Sequence, residues 1–485
     1  MFRELSSVVF FFYYGRRMNK GDEIIVKIDS LAFEGKSVAR NEGKVIFVEG
    51  AVPGDTVKCE IKRSKKSYSD AKVTEILERS PLRLDPKCKY FGLCGGCKWQ
   101  NLSYEAQLKY KHQNVVDAFE RIGGMKDVKI LPVVGAEKQY FYRNKMEFTF
   151  SRQRWLTTEE INLPQELKSE IGLGLHIPNR YDKVLDIDEC WLQSELSNKI
   201  INTVREFAKA KNLTVYSTKT HEGYLRHLVI RTSNATNELM VNIVTTHSKP
   251  EIMEAMSSFL VERNPGITTV VNNITDRKSM VAFGEQEVIY FGTGYITEKL
   301  GKYSFRISAN SFFQTNSKQA EVLYSTVKEF AGLKGDEVVY DLYSGTGSIA
   351  IYLSDSAAKV VGIEVIGSAI EDAIKNAKLN DVKNCDFLSG DLRDKLTKDF
   401  SWMDQFGHPE VVVLDPPRSG LHPKVIEAII KINPKRIVYV SCNPATQARD
   451  SKIFVGSGYI VEVCQPVDMF PQTSHIESVA ILGKS

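Results

Sequence analysis

From about residue 303 to its C-terminus, this chain repeats one pattern: a short apolar, β-branched run, a turn, then a stretch with helical spacing. Residues 338–342 (VVYDL), 360–364 (VVGIE), 387–388 (FL, the shortest), 411–414 (VVVL) and 436–440 (RIVYV) are the runs, and 369–379 is the clearest intervening helix. Apolar strands alternating with helices predict a parallel sheet covered on both faces, because each crossover helix must bury its apolar stripe against the sheet. In such a sheet, ligands bind beyond the carboxyl ends of the strands. Chemistry is therefore to be sought at those ends.

The first run leads into Ser344-Gly345-Thr346-Gly347, where Gly345 and Gly347 let the backbone turn tightly and pass close to a ligand at a helix N-terminus. With Ala350 the pattern is G-x-G-x-x-A, so a nicotinamide dinucleotide is one candidate ligand. Glu364, ending the second run, is placed to accept hydrogen bonds from ribose hydroxyls, and Asp391 follows a third strand where an adenine or ribose contact is expected. The fourth run ends in Asp415-Pro416-Pro417-Arg418. An acid and two prolines at the fourth strand of an array that runs on to the C-terminus favour S-adenosylmethionine over a dinucleotide. In methyltransferases acting on amino groups, an aromatic residue follows the prolines and stacks on the base. Arg418 stands there, which weakens an exocyclic-amine target without removing it.

The fifth run delivers Cys442 to its C-terminal end, where Pro444 cannot remain in a central strand. Most isolated cysteines are small buried hydrophobes. A cysteine at the ligand-binding edge is instead placed to attack an electron-poor carbon once its pKa is lowered.

A chain of 485 residues exceeds one core, so two or three domains are expected. Net charge is +4, which demands no nucleic-acid partner but permits one where positive charge clusters. Such a cluster occurs at Lys62, Arg63, Lys65 and Lys66, with Tyr68 nearby, inside a stretch (18–79) of short β-rich runs split by Gly and Pro that reads as a small all-β module. Asn41-Glu42-Gly43 and Val52-Pro53-Gly54-Asp55 are its turn signals. Residues 1–17 hold an apolar run too short to span a bilayer and are expected to be a frayed extension, with Met18 opening the folded protein. A cytoplasmic protein without a membrane span is expected, and nothing calls for an obligate partner, so a monomer is too. Residues 103–122 have helical spacing, ending at Gly123-Gly124, and residues from about 130 to 300 look strand-rich. Eight cysteines in such a compartment point to metal binding or catalysis rather than disulfides.

The Asp415-Pro416-Pro417-Arg418 turn and the Ser441-Cys442-Asn443-Pro444-Ala445-Thr446 stretch, together in one domain, resemble the RNA uracil-5-methyltransferase family. Phe312-Phe313-Gln314-Thr315-Asn316 looks like the family's F-x-Q-x-N segment, whose glutamine contacts the cofactor. Residues 341–345 look like its first-strand motif, which implies that Tyr343 contacts the cofactor. Ser474-His475-Ile476-Glu477-Ser478 looks like its C-terminal motif, whose glutamate is the base. Cys88, Cys94, Cys97 and Cys190 match the iron–sulfur ligands of the 23S ribosomal RNA branch, and the first ordered residues are similar to the TRAM domain, an OB-like RNA-binding barrel. The resemblance implies a multidomain chain: TRAM barrel (18–79), central α+β region with the four-cysteine cluster (80–302), and α/β Rossmann-like S-adenosylmethionine-dependent methyltransferase domain (303–485). The polar stretch 157–170 departs from the family's spacing and reads as an exposed loop insertion.

The implied reaction is methylation of uracil C5 in RNA, most directly 23S ribosomal RNA, with tRNA as the alternative. C5 is a poor nucleophile until a thiolate adds at C6, which assigns Cys442 as nucleophile and Glu477 as the base that removes the C5 proton. Asp415 is expected beside cofactor and base, and unstacked RNA loops are the expected substrate. Four cysteines suit zinc or a [4Fe–4S] cluster, and one ligand remote from the other three favours the cluster, in a structural or RNA-positioning role. Cys59, Cys385 and Cys464 read as ordinary strand cysteines. A radical methylthiotransferase would need C-x3-C-x2-C where this chain has Cys88-x5-Cys94-x2-Cys97. Intact Cys442, Glu477 and Gln314 argue against an RNA-binding module with a retired catalytic domain.

Overall fold

The computed structural model describes residues 18–164, 171–178, 180–398 and 401–484. The tail expected at 1–17 lies outside the described residues, as does the 165–170 part of the expected loop insertion. The described part of that insertion is not all loop: Thr157 and Glu160 form a capping box that opens a helical turn at Thr158–Ile161. The chain forms two compact units, residues 18–84 with 101–103, and residues 85–100 with 104–484.

The first unit is a closed five-stranded barrel in the order Glu23–Leu31, Ser37–Asn41, Lys44–Glu49, Tyr68–Glu78, Thr56–Ser64. Its alternating residues Val26, Ile28, Ala39, Ile46, Val48, Val57, Cys59 and Ile61 fill the interior. Glu42 and Gly43 both take positive φ (49° and 79°) in the turn between the second and third strands, the backbone a two-residue hairpin requires. Asp55 is buried against Arg83 (2.6 Å) and accepts from the amides of Val52 and Ser80. Burial would raise its pKa, but the guanidinium and these amides outweigh burial and hold the carboxyl below its ordinary value. Lys62, Arg63, Lys65 and Lys66 are exposed where Thr56–Ser64 turns back into Tyr68–Glu78, beside an edge-on Phe47–Tyr68 ring pair.

The second unit contains two eight-stranded sheets. One has the order Gln286–Phe291, Thr269–Ile274, Leu239–Thr245, Leu225–Thr232, Lys145–Ser151, Gly172–Ile177, Arg180–Asp186, Arg154–Trp155. Helices Glu195–Ala210 and Pro250–Arg263 bury Ile200, Ile201, Val204, Met253, Met256 and Leu260 in the same core as this sheet. The other has the order Cys385–Ser389, Lys359–Glu364, Val338–Leu342, Val411–Leu414, Arg436–Ser441, Glu477–Lys484, Tyr459–Val467, Lys129–Ile130. Its first five strands are parallel, and strand order reverses between Val338–Leu342 and Val411–Leu414, the switch point at which α/β sheets bind ligands. Glu477–Lys484 runs antiparallel to both neighbours.

The segment entering that antiparallel strand is tied down from several sides. Lys111, on the helix Tyr104–Asp117, is fully buried against Asp468 (2.6 Å) and also donates to the Phe470 carbonyl. Tyr104 donates its hydroxyl to the other Asp468 oxygen at 2.9 Å. Gln107 and Gln472 exchange hydrogen bonds, and Tyr142 donates to the Pro471 carbonyl. Gln472 takes a left-handed φ of 69°. Its carbonyl thereby accepts from the Lys98 and Trp99 amides at 3.0 and 3.1 Å. Removing one partner of a buried ion pair leaves an uncompensated charge and costs about 3–5 kcal/mol. Lys111→Met is therefore expected to lower stability by about that amount, while Lys111→Met with Asp468→Leu recovers part of it. Denaturant unfolding of both variants checks this.

Candidate active site

The turn after Val338–Leu342 carries three of the cofactor candidates, Tyr343, Gly345 and Gly347. Tyr343 takes φ 72°, a left-handed conformation rare for a residue with a side chain, followed by Gly345 at 54° and Gly347 at 74°. A Cβ on Gly347 would lie 2.8 Å from the Phe387 ring and 2.9 Å from Ala373, so this close approach of helix and strand requires glycine. Tyr343, Glu364 and Asp391 line one cavity of 160 Å³, with Leu392, Arg393, His422 and Val425. The last four carry no sequence signal for this role. Gln314 and Asp415 do not line it. Glu364 accepts from the amides of Gly345 (3.1 Å), Val365 and Ile366, bracing the turn that it faces. Asp391 caps the helix Leu392–Thr397 through the amides of Arg393 and Asp394, which also fixes its place on the cavity wall. Gln314 lies on a segment held by neighbours: Asn144 donates to its carbonyl, and Thr346 donates to that of Phe312.

The nucleophile and base candidates meet through strand register. Ser441 pairs with Ser478 across the antiparallel ladder, so Cys442, one residue beyond, and Glu477, one residue before, emerge at the same sheet edge. Burial pushes the Cys442 thiol up to about 11, and the charges of Glu477 and Asp415 add to the rise. Arg418 opposes it, by its charge and by a hydrogen bond to the sulfur. Burial also raises Glu477 well above the carboxylate range, with Asp415 adding and Arg418 opposing. Asp415 rises to about 7 through burial. Asp341 rises to about 8 through burial and the charge of Asp415, despite accepting from the Ala350 amide at 3.0 Å. One Asp341 oxygen is buried without a partner. The edge thus gathers three protonation-prone carboxyls and a thiol, with the Arg418 guanidinium acting on the thiol and on Glu477. Arg418, which on sequence stands only in place of an aromatic residue, is the group that favours the ionised thiol. Its side chain also donates to His475 Nδ1 at 3.5 Å, and burial pushes His475 down to about 4, so the ring is neutral.

Cys88, Cys94, Cys97 and Cys190 are all free thiols, and burial raises the first three, with Cys190 adding to the rise of each. Asp188 joins their two segments, accepting from Lys89 (2.8 Å) and from the Tyr90 hydroxyl (2.7 Å). The structure does not show the four-cysteine metal cluster expected from the sequence: among the described residues no group of three or more His, Cys, Asp or Glu side chains is placed to hold a metal ion. Protonated thiols gain nothing by closing to ligand distance, since metal charge is what stabilises converging thiolates.

A family model described as tRNA (Uracil-5-)-methyltransferase matches residues 272–485, and a TRAM domain model matches residues 17–74. An uncharacterized RNA methyltransferase of Chlorobaculum tepidum is 45% identical over 473 residues, 97% of this chain and 98% of the relative. One from Bacteroides thetaiotaomicron is 44% identical over 455 residues, 93% of this chain and 99% of the relative. The crystal structure of Pyrococcus abyssi tRNA (uracil-54, C5)-methyltransferase in complex with S-adenosyl-L-homocysteine is similar at 30% identity and a TM-score of 0.71, over 95% of this chain and 100% of that one. The chain belongs to the RNA uracil-5-methyltransferase family, with an N-terminal TRAM domain and an S-adenosylmethionine-dependent methyltransferase fold. Among the described residues, no helix is long and apolar enough to cross a membrane.

A thiol raised to about 11 is almost wholly protonated at neutral pH. Alkylation of Cys442 in cofactor-free protein, mapped by peptide mass spectrometry, is expected to rise from about pH 7 to about pH 10 without levelling. Arg418→Gln should displace the curve to higher pH. A plateau below about pH 8 would contradict this electrostatic reading.

Proposed function

We propose that this chain methylates C5 of a uracil in 23S ribosomal RNA in the cytoplasm, through a covalent bond between Cys442 and C6. The observation that carries the reading is the Ser441–Ser478 register, which brings a thiol and a carboxyl to one ligand-binding edge. When bound, S-adenosylmethionine supplies an electrophilic methyl group on a cationic sulfur. Tyr343, Glu364 and Asp391 would hold its adenosine end, Gly345 and Gly347 would let the backbone pass close to it, and Gln314 and Asp415 would contact it. Cys442 as thiolate forms the S–C6 bond and pushes the C5=C6 electron pair onto C5, and that pair would form the C5–methyl bond as the methyl–sulfur bond of a bound S-adenosylmethionine breaks, leaving C5 with both a methyl group and its proton. Arg418 stabilises that thiolate. Glu477 then takes the C5 proton; the released pair restores C5=C6 and expels Cys442. Burial makes an ionised Glu477 a stronger base than a surface glutamate.

The exposed Lys62, Arg63, Lys65 and Lys66 of the TRAM barrel give it a phosphate-binding tip, with Tyr68 beside them. Cys88, Cys94, Cys97 and Cys190 are the residues that would hold a [4Fe–4S] cluster: their thiols are free and their two segments are joined through Asp188, and the metal charge would have to draw them to ligand distance. The cluster would brace the region, and no step of the reaction passes through it.

A tRNA substrate is the second reading, favoured by the Pyrococcus abyssi enzyme, whose similarity extends over 95% of this chain. Purified protein offered 23S RNA and tRNA labelled as [5-³H]uridine separates the two. Tritium release in step with methyl transfer is expected from 23S RNA. Cys442→Ala should abolish both signals, and Glu477→Gln should accumulate a denaturant-stable protein–RNA adduct. Tritium release that survives in Cys442→Ala would remove the nucleophile assignment, and release from tRNA alone would replace the substrate.

A further inference from the structure

A second cavity, of 280 Å³, lies away from the cofactor turn and is lined by Lys145, Glu147, Arg231, Phe283, Ala309 and Asn310 among others. Lys145 and Arg231 face each other directly in the antiparallel pairing of Lys145–Ser151 with Leu225–Thr232. Glu147 lies two residues along the same strand, on the same face as Lys145, and pairs with it at 2.5 Å. Among the described residues, that leaves the Arg231 guanidinium, only 3% exposed, without a carboxylate of its own. Its Nη2 donates to the carbonyls of Ala309 and Ser311, and its Nε is buried with no partner. Burial lowers the Arg231 pKa only to about 10, so the charge persists at neutral pH. Two cations against one carboxylate, with a guanidinium N–H unsatisfied, form a site short of one anion.

The cavity adjoins the segment that reaches the reacting centre. Ala309 and Asn310 precede Phe312 and Gln314, and Asn144, next to Lys145, donates to the carbonyls of both Gln314 and Thr315. The Phe312 carbonyl in turn accepts from Thr346 of the cofactor turn. Met280 and Phe283, each 40% exposed, give the cavity an apolar rim suited to a sugar or base face.

We propose that Lys145 and Arg231 seat a backbone phosphate of the bound RNA in this cavity, fixing the strand on the Gln314 side of the target uridine. The proposal rests on the RNA-methylation reading. A phosphate oxygen would take the free Arg231 Nε–H and draw the Lys145 ammonium away from Glu147.

RNA binding by the full-length protein, measured as affinity against salt concentration, tests it. Lys145→Gln should weaken binding about three- to tenfold at low salt and flatten the log–log salt slope by about 0.7, the value of one single-strand phosphate contact. The KM for RNA should rise, while affinity for S-adenosylhomocysteine stays at the wild-type value. Glu147→Gln, which frees Lys145, should tighten RNA binding by about threefold, a gain no misfolded variant can produce. Unchanged affinity and salt slope in both variants, with wild-type protein still methylating RNA, would overturn the proposal. So would inorganic phosphate binding that Lys145→Gln abolishes without altering the RNA salt slope, since the cavity would then take a free anion. Failure of wild-type protein to bind or methylate any RNA is a different result: the methylation reading falls, and this proposal with it.

Discussion

The register between Arg436–Ser441 and Glu477–Lys484 is the constraint on which the site depends. Side chains alternate along a strand, so a slip of one residue would turn Glu477 from the sheet edge to the other face and separate it from Cys442. Several features hold the register against slipping. Glu477–Lys484 is paired on both sides, by Arg436–Ser441 and by Tyr459–Val467, and its interior residues are buried. Gln447 donates to the carbonyls of both Tyr439 and Ser478, bridging the two strands from the helix that follows the cysteine. The entering segment is clamped by Lys111–Asp468 and Gln107–Gln472. Pairing sets which residues meet, and the clamp sets where they meet.

Burial at that edge has a second consequence. It keeps the thiol and the nearby carboxyls protonated, so the resting site carries little of the negative charge its composition suggests. Arg418 is the countercharge, and it favours the ionised form of the thiol with which the proposed reaction begins. A cationic ligand beside Asp415 and Asp341 would favour their ionised forms, which links cofactor binding to the protonation state of the whole edge.

Legibility in the sequence follows burial geometry. Strands of the parallel sheet are buried on both faces and read as continuous apolar runs, so their ends, with Gly345, Asp415 and Cys442, could be located before the fold was known. Lys129–Ile130 is too short to show any period, yet it extends the same sheet. The helical stretch after Ser103 is α only to Asp117 and continues as a π-helix over Ala118–Gly123, a change the apolar spacing conceals. Contacts remote along the chain left no trace: Lys111 and Asp468 are 357 residues apart, and Lys111 reads as any helix lysine. Arg418 was visible as a motif letter, but its effect on Cys442 needs two adjacent strands to end together. Arg231 gave no signal, because a charged residue inside an apolar strand reads as a solvent-facing alternation until both faces prove buried.

The most direct test of the central claim is to incubate the protein and S-adenosylmethionine with 23S RNA carrying 5-fluorouridine, then separate under denaturing conditions and map any adduct. Fluorine cannot be abstracted as a proton, so an enzyme that adds a thiolate at C6 stalls after methyl transfer with its nucleophile still bound. The account predicts a covalent protein–RNA band whose cross-linked peptide contains Cys442, with a methylated 5-fluorouracil attached. Wild-type protein that binds both ligands and methylates unmodified RNA, yet forms no adduct with the fluorinated RNA or forms it at another residue, would contradict it.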